Sequence, residues 1–226
     1  FAIALSEPIH NYGYVDAQRM KYNGFWRKMD IHHNFPDMAG RQIVGYFRFQ
    51  LPSSRQLTIR TALSPVSMSG ALANLKAETD GMTFKQTVAQ WEQELDNIRI
   101  EGTDDQKALF YTSLYHTMIN PSVYMDTDGS YRGNDMEIHH ADGFTNYTVF
   151  SLWDTYRAEH PLLSLFHPQR NKDMAQSMIH IQQQSPLGVL PMWYLMANEG
   201  WCMSGYHATS VLADVATKIG FDQYAP

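Results

Sequence analysis

From Phe1 onward the chain first alternates and then repeats with a longer period. In RQIVGYFRF (41–49) and QLTIRTAL (56–63), β-branched and aromatic residues alternate with polar ones, which predicts half-buried strands. Pro52 in LPSSR removes a backbone donor and predicts a turn between them, while NYGY, YNGF and HNFPDMAG punctuate the preceding stretch. Residues 1–66 are therefore expected to be strands of a β-sandwich. Beyond Ser67 the period lengthens. SGALANLKAET sets Ala71, Leu72 and Leu75 on one helical side. In TFKQTVAQWEQELDNI, Phe84, Val88, Trp91 and Leu95 recur at i, i+4, i+7 and i+11, behind Thr83 and Gln86 at capping-box spacing. Residues 67–101 are predicted to form a helical linker.

From Thr103 helices dominate the pattern. DDQKALFYTSLYHTMI places acidic residues in a first turn, where the helix dipole favours them, and stops at Asn120-Pro121. SVYMDTDGSYRGND predicts a tight hairpin around Asp128-Gly129. Further helices are predicted over Tyr147 to Glu159 with a continuation LLSLF after Pro161, over Asn171 to Gln184, and over Tyr206 to Ile219, the last closed by Gly220. The aromatic-rich PMWYLMANEGWCMSG is expected to be a loop between the last two. Sheet first and helix after predicts a multidomain β plus α chain whose segment 102–226 packs as helical hairpins.

Charge narrows the partners. Lys and Arg total 17 against 23 Asp and Glu, a formal charge of −6 without a basic cluster, so nucleic acid and anionic membrane are poor partners. No apolar run reaches the ~18 residues of a membrane-spanning helix. At 44% hydrophobic and 18% charged residues, the chain can bury a core. The lone Cys202 can form neither an internal disulfide nor a Cys-rich zinc site. The ends, FAIALSEPIHNYGY and GFDQYAP, are read as those of an internal piece of a longer polypeptide, with any targeting signal upstream.

The densest chemistry is SLWDTYRAEHP. On one helix Asp154 and Arg157 stand at i, i+3 and Trp153 and Arg157 at i, i+4, so all three can share a face. An indole beside a carboxylate and a guanidinium suits a sugar ring: the indole covers C–H groups, Asp accepts and Arg donates to vicinal hydroxyls. The same residues suit a structural ion pair beside a core Trp. In ANEGWCMSGYH, Glu199 is either a carboxylate held near apolar surface with a raised pKa or an exposed loop acid. MDTDGSYRGND has calcium-like composition but lacks EF-hand spacing, since Gly129 comes two positions early, and turn chemistry explains it better. His32-His33 and His139-His140 point to opposite faces if on strands, and Asn146-Tyr147-Thr148 is a formal glycosylation sequon at a predicted helix start.

Three segments, FYTSLYHTMINPSVYMDTDGSYRGND, FSLWDTYRAEHPLLSLFHP and LPMWYLMANEGWCMSGYH, together resemble the core of the family 92 glycoside hydrolases, and SPVSMSGALANLKAE resembles that family's join between domains. These are calcium-dependent, inverting exo-α-mannosidases of bacteria that degrade glycans. The resemblance implies an N-terminal β-sandwich, here 1–66, then a linker and the first part of an (α/α)6 barrel. It implies hydrolysis of terminal α-mannosyl residues of mannose-containing glycans, of α-1,2 type, in a periplasmic, cell-surface or secreted setting. Trp153, Asp154, Arg157 and Glu199 would line the mannose pocket, and Ca2+ would assist. The catalytic acid and base, which inversion places roughly 6.5–9.5 Å apart, and most of the calcium ligands are expected beyond residue 226, so the isolated chain is expected to be inactive. The alternatives are a non-catalytic carbohydrate-binding protein, an α/α-barrel hydrolase of other sugar specificity, or aromatic loops that serve as subunit contacts.

Overall fold

The computed structural model describes residues 1–16, 26–30, 35–39, 43–51, 55–79 and 83–220, and two compact units divide them, Ile3–Arg60 on one side and Phe1–Ala2 with Thr61 onward on the other. His32-His33, YNGF, the centre of LPSSR and Asp80-Gly81 lie outside the described residues.

In the first unit, β2 (Asn11–Asp16) pairs antiparallel with β5 (Ile43–Arg48), Tyr12 opposite Phe47. β3 (Trp26–Asp30) pairs with β4 (Phe35–Ala39). β1 (Ala2–Leu5) pairs with β6 (Ile59–Ala62). Within the two period-2 segments, Ile43–Arg48 and Ile59–Ala62 thus fold as strands.

The second unit opens with α1 (Met68–Thr79), which buries Ala71, Asn74 and Leu75. Ala71 and Leu75 pack with Ala2 and Ala62. Leu72, expected on the same buried side, is 59% exposed. α2 (Phe84–Leu95) carries the capping box read from sequence: Gln86 N–H donates to Thr83 Oγ1 at 3.3 Å and Thr83 N–H to Gln86 Oε1 at 2.8 Å. Its apolar stripe is not buried. Phe84 is 85% exposed, while Trp91 lies edge-on to Tyr115 of α3 (Asp104–His116) at 4.6 Å. An amphipathic pattern demands a partner surface, and α3 covers only one end of this one. α3 has the expected acidic first turn and a second capping box, Thr103 with Gln106.

The tight turn expected at Asp128-Gly129 closes there, Gly129 N–H donating to Asp126 O at 2.9 Å and Asp126 N–H to Ser130 O at 2.8 Å, with Gly129 at φ +87°. The strands on either side of it pair elsewhere. β7 (Ser122–Val123) pairs with β10 (Tyr147–Thr148), and β8 (Ser130–Arg132) pairs with β9 (Ile138–His140) around Gly133 to Glu137.

The helix expected over Tyr147 to Glu159 is mostly not one. TNYTVF is rich in β-branched and aromatic residues and folds as β10 and β11 (Phe150–Ser151), with Val149 between them at φ +66°. Only α4 (Leu152–Thr155) remains helical. α5 (Glu159–Phe166), α6 (Pro168–Gln184) and α7 (Ala208–Ile219, followed by Gly220 at φ +79°) correspond to the later expectations. They pack Leu163, Met174, Met178, Ile181, Val211 and Val215 with Tyr147, Phe150, Leu152 and Tyr194 into the main core. The presumed loop between α6 and α7 holds β12 (Trp193–Leu195) and β13 (Asn198–Glu199).

Candidate functional site

The site is organised by a three-stranded antiparallel sheet in the order β11-β12-β13. Phe150 lies opposite Tyr194, Ser151 opposite Trp193, and Tyr194 opposite Glu199. Gly200 N–H extends the ladder by donating to Trp193 O at 3.0 Å. The sheet therefore sets the start of SLWDTYR beside NEGW, although nearly fifty residues separate them in sequence. The β12–β13 hairpin turns through Met196 and Ala197 at φ +44° and +65°, the two positive values that a type I′ turn requires. Met196 N–H is satisfied by the buried Thr148 Oγ1 at 2.7 Å. Val149, Met196, Ala197 and Trp201, all non-glycine at positive φ, cluster in this sheet, where surrounding contacts must hold the strained backbone in place.

Glu199 is buried at 8% exposure, which rules out the exposed loop acid. Its Oε1 accepts N–H bonds from Trp193 at 2.9 Å and Trp201 at 3.1 Å, and Oε2 accepts one from Met192 at 2.9 Å. Three backbone donors converging on one carboxylate make it the clamp of its own loop. Gly200 lies so close to the Trp193 ring that a Cβ there would collide with it.

Trp153 is half-exposed at 50%, and Asp154 and Arg157 are exposed. The three are not the dry ion pair beside a core Trp that the sequence allowed. Nor do they share one helical face as expected, because helical geometry ends at Thr155 and Arg157 lies in the turn beyond. Asp154 Oδ2 instead accepts from Ser151 Oγ at 2.5 Å, tying the acid to the end of β11. Arg157 Nε donates to Tyr156 Oη at 2.5 Å, and its guanidinium carbon lies 5.3 Å from the Tyr156 ring centroid. Tyr156 stacks on His207, the residue before α7, with centroids 4.0 Å apart and planes at 13°. Sequence reasoning gave His207 no part. It lies fifty-one residues from Tyr156, so no local spacing could signal the stack.

Other chemistry is accounted for locally. Asp126 is buried and accepts from Ser64 Oγ at 2.7 Å and Asn74 Nδ2 at 2.8 Å, while Asp128 and Asp135 accept backbone N–H bonds from Ser130 and Glu137. Among the described residues no three or more His, Cys, Asp or Glu come together as a group that could hold a metal ion. His139 bonds Asp135 and His140 bonds Asp142; the latter raises the His140 pKa. Asn146, the sequon residue, is buried ahead of β10 and donates to Tyr124 O, so it is no accessible glycosylation site in the folded chain. Glu159, at the start of α5, has a carboxyl oxygen buried without a hydrogen-bond partner, and burial pushes its pKa up to about 7. A cavity of about 630 Å³ between α2 and α6 is lined by Trp91, Glu94, Tyr147 and Arg170 among others, and by none of Trp153, Asp154, Arg157 or Glu199. The candidate sugar surface is thus separate from this cavity.

The family model described as the glycosyl hydrolase family 92 catalytic domain matches residues 70–225. Among solved structures, a family GH92 α-mannosidase from Bacteroides thetaiotaomicron is 38% identical with a TM-score of 0.84, covering 97% of this chain and 30% of its own. The same enzyme has been solved in complex with mannoimidazole. A family GH92 inverting mannosidase from B. thetaiotaomicron VPI-5482 is 28% identical with a TM-score of 0.79, covering 95% of this chain and 28% of its own. The chain thus spans under a third of the length of these structures. No curated protein matches it.

Proposed function

This chain belongs to glycosyl hydrolase family 92, and from that premise we propose that it forms the mannose-holding part of an inverting exo-α-mannosidase of α-1,2 type. The similarity to solved α-mannosidases supports the sugar class, and the inverting relative supports the stereochemistry. The strand pairs of Ile3–Arg60 would belong to a β-sandwich and the helices after Thr103 to part of an (α/α)6 barrel. The protein would act on glycans in the periplasm, at the cell surface or outside the cell.

One observation carries the reading: the β11-β12-β13 register joins the WDTYR and NEGW segments while Trp153, Asp154 and Arg157 stay accessible. In the proposed complex the Trp153 indole covers the apolar face of the sugar. Asp154 accepts hydrogen bonds from ring hydroxyls, with Ser151 fixing the carboxylate's direction, and Arg157 donates to their oxygens. Glu199 keeps the adjoining loop in shape through its three N–H bonds and reaches the sugar with any remaining lone pair. The acid and base that protonate the leaving oxygen and activate water are assigned to no residue of this chain. The family's calcium finds no ligand set among the described residues, and no step here uses it.

The test is hydrolysis of aryl α-mannoside and aryl α-glucoside by the complete polypeptide that contains this chain, with and without chelator, following the product anomer by NMR. Release of β-mannose from the mannoside supports the proposal. Preference for the glucoside, or release of the α-anomer, overturns it.

A further inference from the structure

We infer that His207 is a positioning residue that acts on Arg157 through Tyr156; the inference rests on the proposed role of Arg157 at the sugar surface. Arg157 is exposed and lies outside α4, so neither burial nor helical geometry fixes its direction. What does fix it is Tyr156: the hydroxyl accepts from Arg157 Nε, and the ring lies beneath the guanidinium. Tyr156 packs against the main core and also stacks with the His207 imidazole, near-parallel at 4.0 Å. A tyrosine held by both contacts keeps its hydroxyl in one place. A tyrosine that loses one of them swings with its neighbour's long side chain.

His207 is itself well anchored. Its carbonyl accepts the Val211 N–H that opens α7, whose Ala208, Val211 and Val215 are in the core. The preceding Tyr206 hydroxyl accepts the Leu190 N–H at 2.8 Å. Gly205, at φ +87°, lets the chain turn under the imidazole, and a Cβ there would strike the ring. His207, Tyr156 and Arg157 thus form a line of contacts from the residue that caps α7 to an exposed guanidinium. It selects one direction for a side chain that would otherwise lose several rotatable bonds' worth of freedom on binding sugar.

The test uses the complete polypeptide with His207→Ala, His207→Phe, Tyr156→Phe, Arg157→Ala and the pair His207→Ala with Arg157→Ala, following KM and kcat on an aryl α-mannoside alongside Tm. His207→Ala is expected to raise KM about 5-fold or more with a smaller effect on kcat, His207→Phe to restore KM by restoring the stack, and Tyr156→Phe to raise KM without loss of the stack. On the Arg157→Ala background His207→Ala is expected to change nothing further. If Arg157→Ala raises KM but His207→Ala and Tyr156→Phe do not, the relay is wrong while the sugar surface stands. If Arg157→Ala itself leaves KM unchanged, the surface reading fails first. Should His207→Ala fail to fold, Tyr156→Phe and His207→Phe still decide: an unchanged KM for Tyr156→Phe overturns the relay.

Discussion

Across the β12–β13 hairpin the Glu199 carboxylate accepts the amide N–H of Trp193 at 2.9 Å, one residue away from its register partner Tyr194. With the N–H groups of Met192 and Trp201 added, the acid becomes the reason this loop holds a strained turn at Met196-Ala197. Removing it leaves three partly buried backbone donors without that partner. Glu199→Ala is expected to cost about 2–4 kcal/mol of folding stability and Glu199→Gln less, since the amide oxygen keeps part of the bonding. Thermal unfolding of both variants measures this, and a Tm unchanged by Glu199→Ala would refute the clamp.

Glu159 sets a pH dependence. Its pKa in the folded protein, about 7, stands above the ordinary value of 4.5, so ionising it costs more folded than unfolded. Stability contributed by the neutral acid is complete below about 4.5 and lost as pH rises through about 7. Glu159→Gln is therefore expected to stabilise the protein by about 1–3 kcal/mol at pH 8 and to do little at pH 4. Unfolding curves at the two pH values check it; an equal effect at both would contradict the shift.

Asp126 and Asn74 form a buried pair that pins the turn after β7 to α1, with Asn74 also donating to Leu63 O and accepting from Thr127 N–H. Each of Asp126→Ala and Asn74→Ala is expected to cost about 2–4 kcal/mol, and the double variant to fall short of the sum by about 1–3 kcal/mol because the second change removes a partner already lost. A double-mutant cycle in denaturant measures the coupling. Strict additivity would mean that the two act separately.

What the sequence disclosed follows from how local each signal is. The α2 cap was legible because Thr83 and Gln86 satisfy each other within three residues. The β10 and β11 strands were not, because their partners, Val123 and Tyr194, lie more than twenty residues away and a short apolar run reads equally as helix. Trp153, Asp154 and Arg157 were nominated by residue type and spacing, and the register that sets their segment beside Glu199 depends on a hairpin whose Met196-Ala197 turn carries no Asn-Gly signal. Phe84 and Val88 gave the period of a buried stripe, but period alone does not say what covers it.

The account depends most on the exposed Asp154, held by Ser151, accepting hydrogen bonds from mannose. Calorimetric titration of the complete polypeptide and its Asp154→Ala variant with a mannose-configured inhibitor measures that contact directly, with Tm recorded in parallel. An affinity at least about 10-fold weaker at unchanged Tm is the predicted result, in keeping with a charge-assisted hydrogen bond to a ligand. An affinity equal to that of the unaltered protein would contradict the sugar seat.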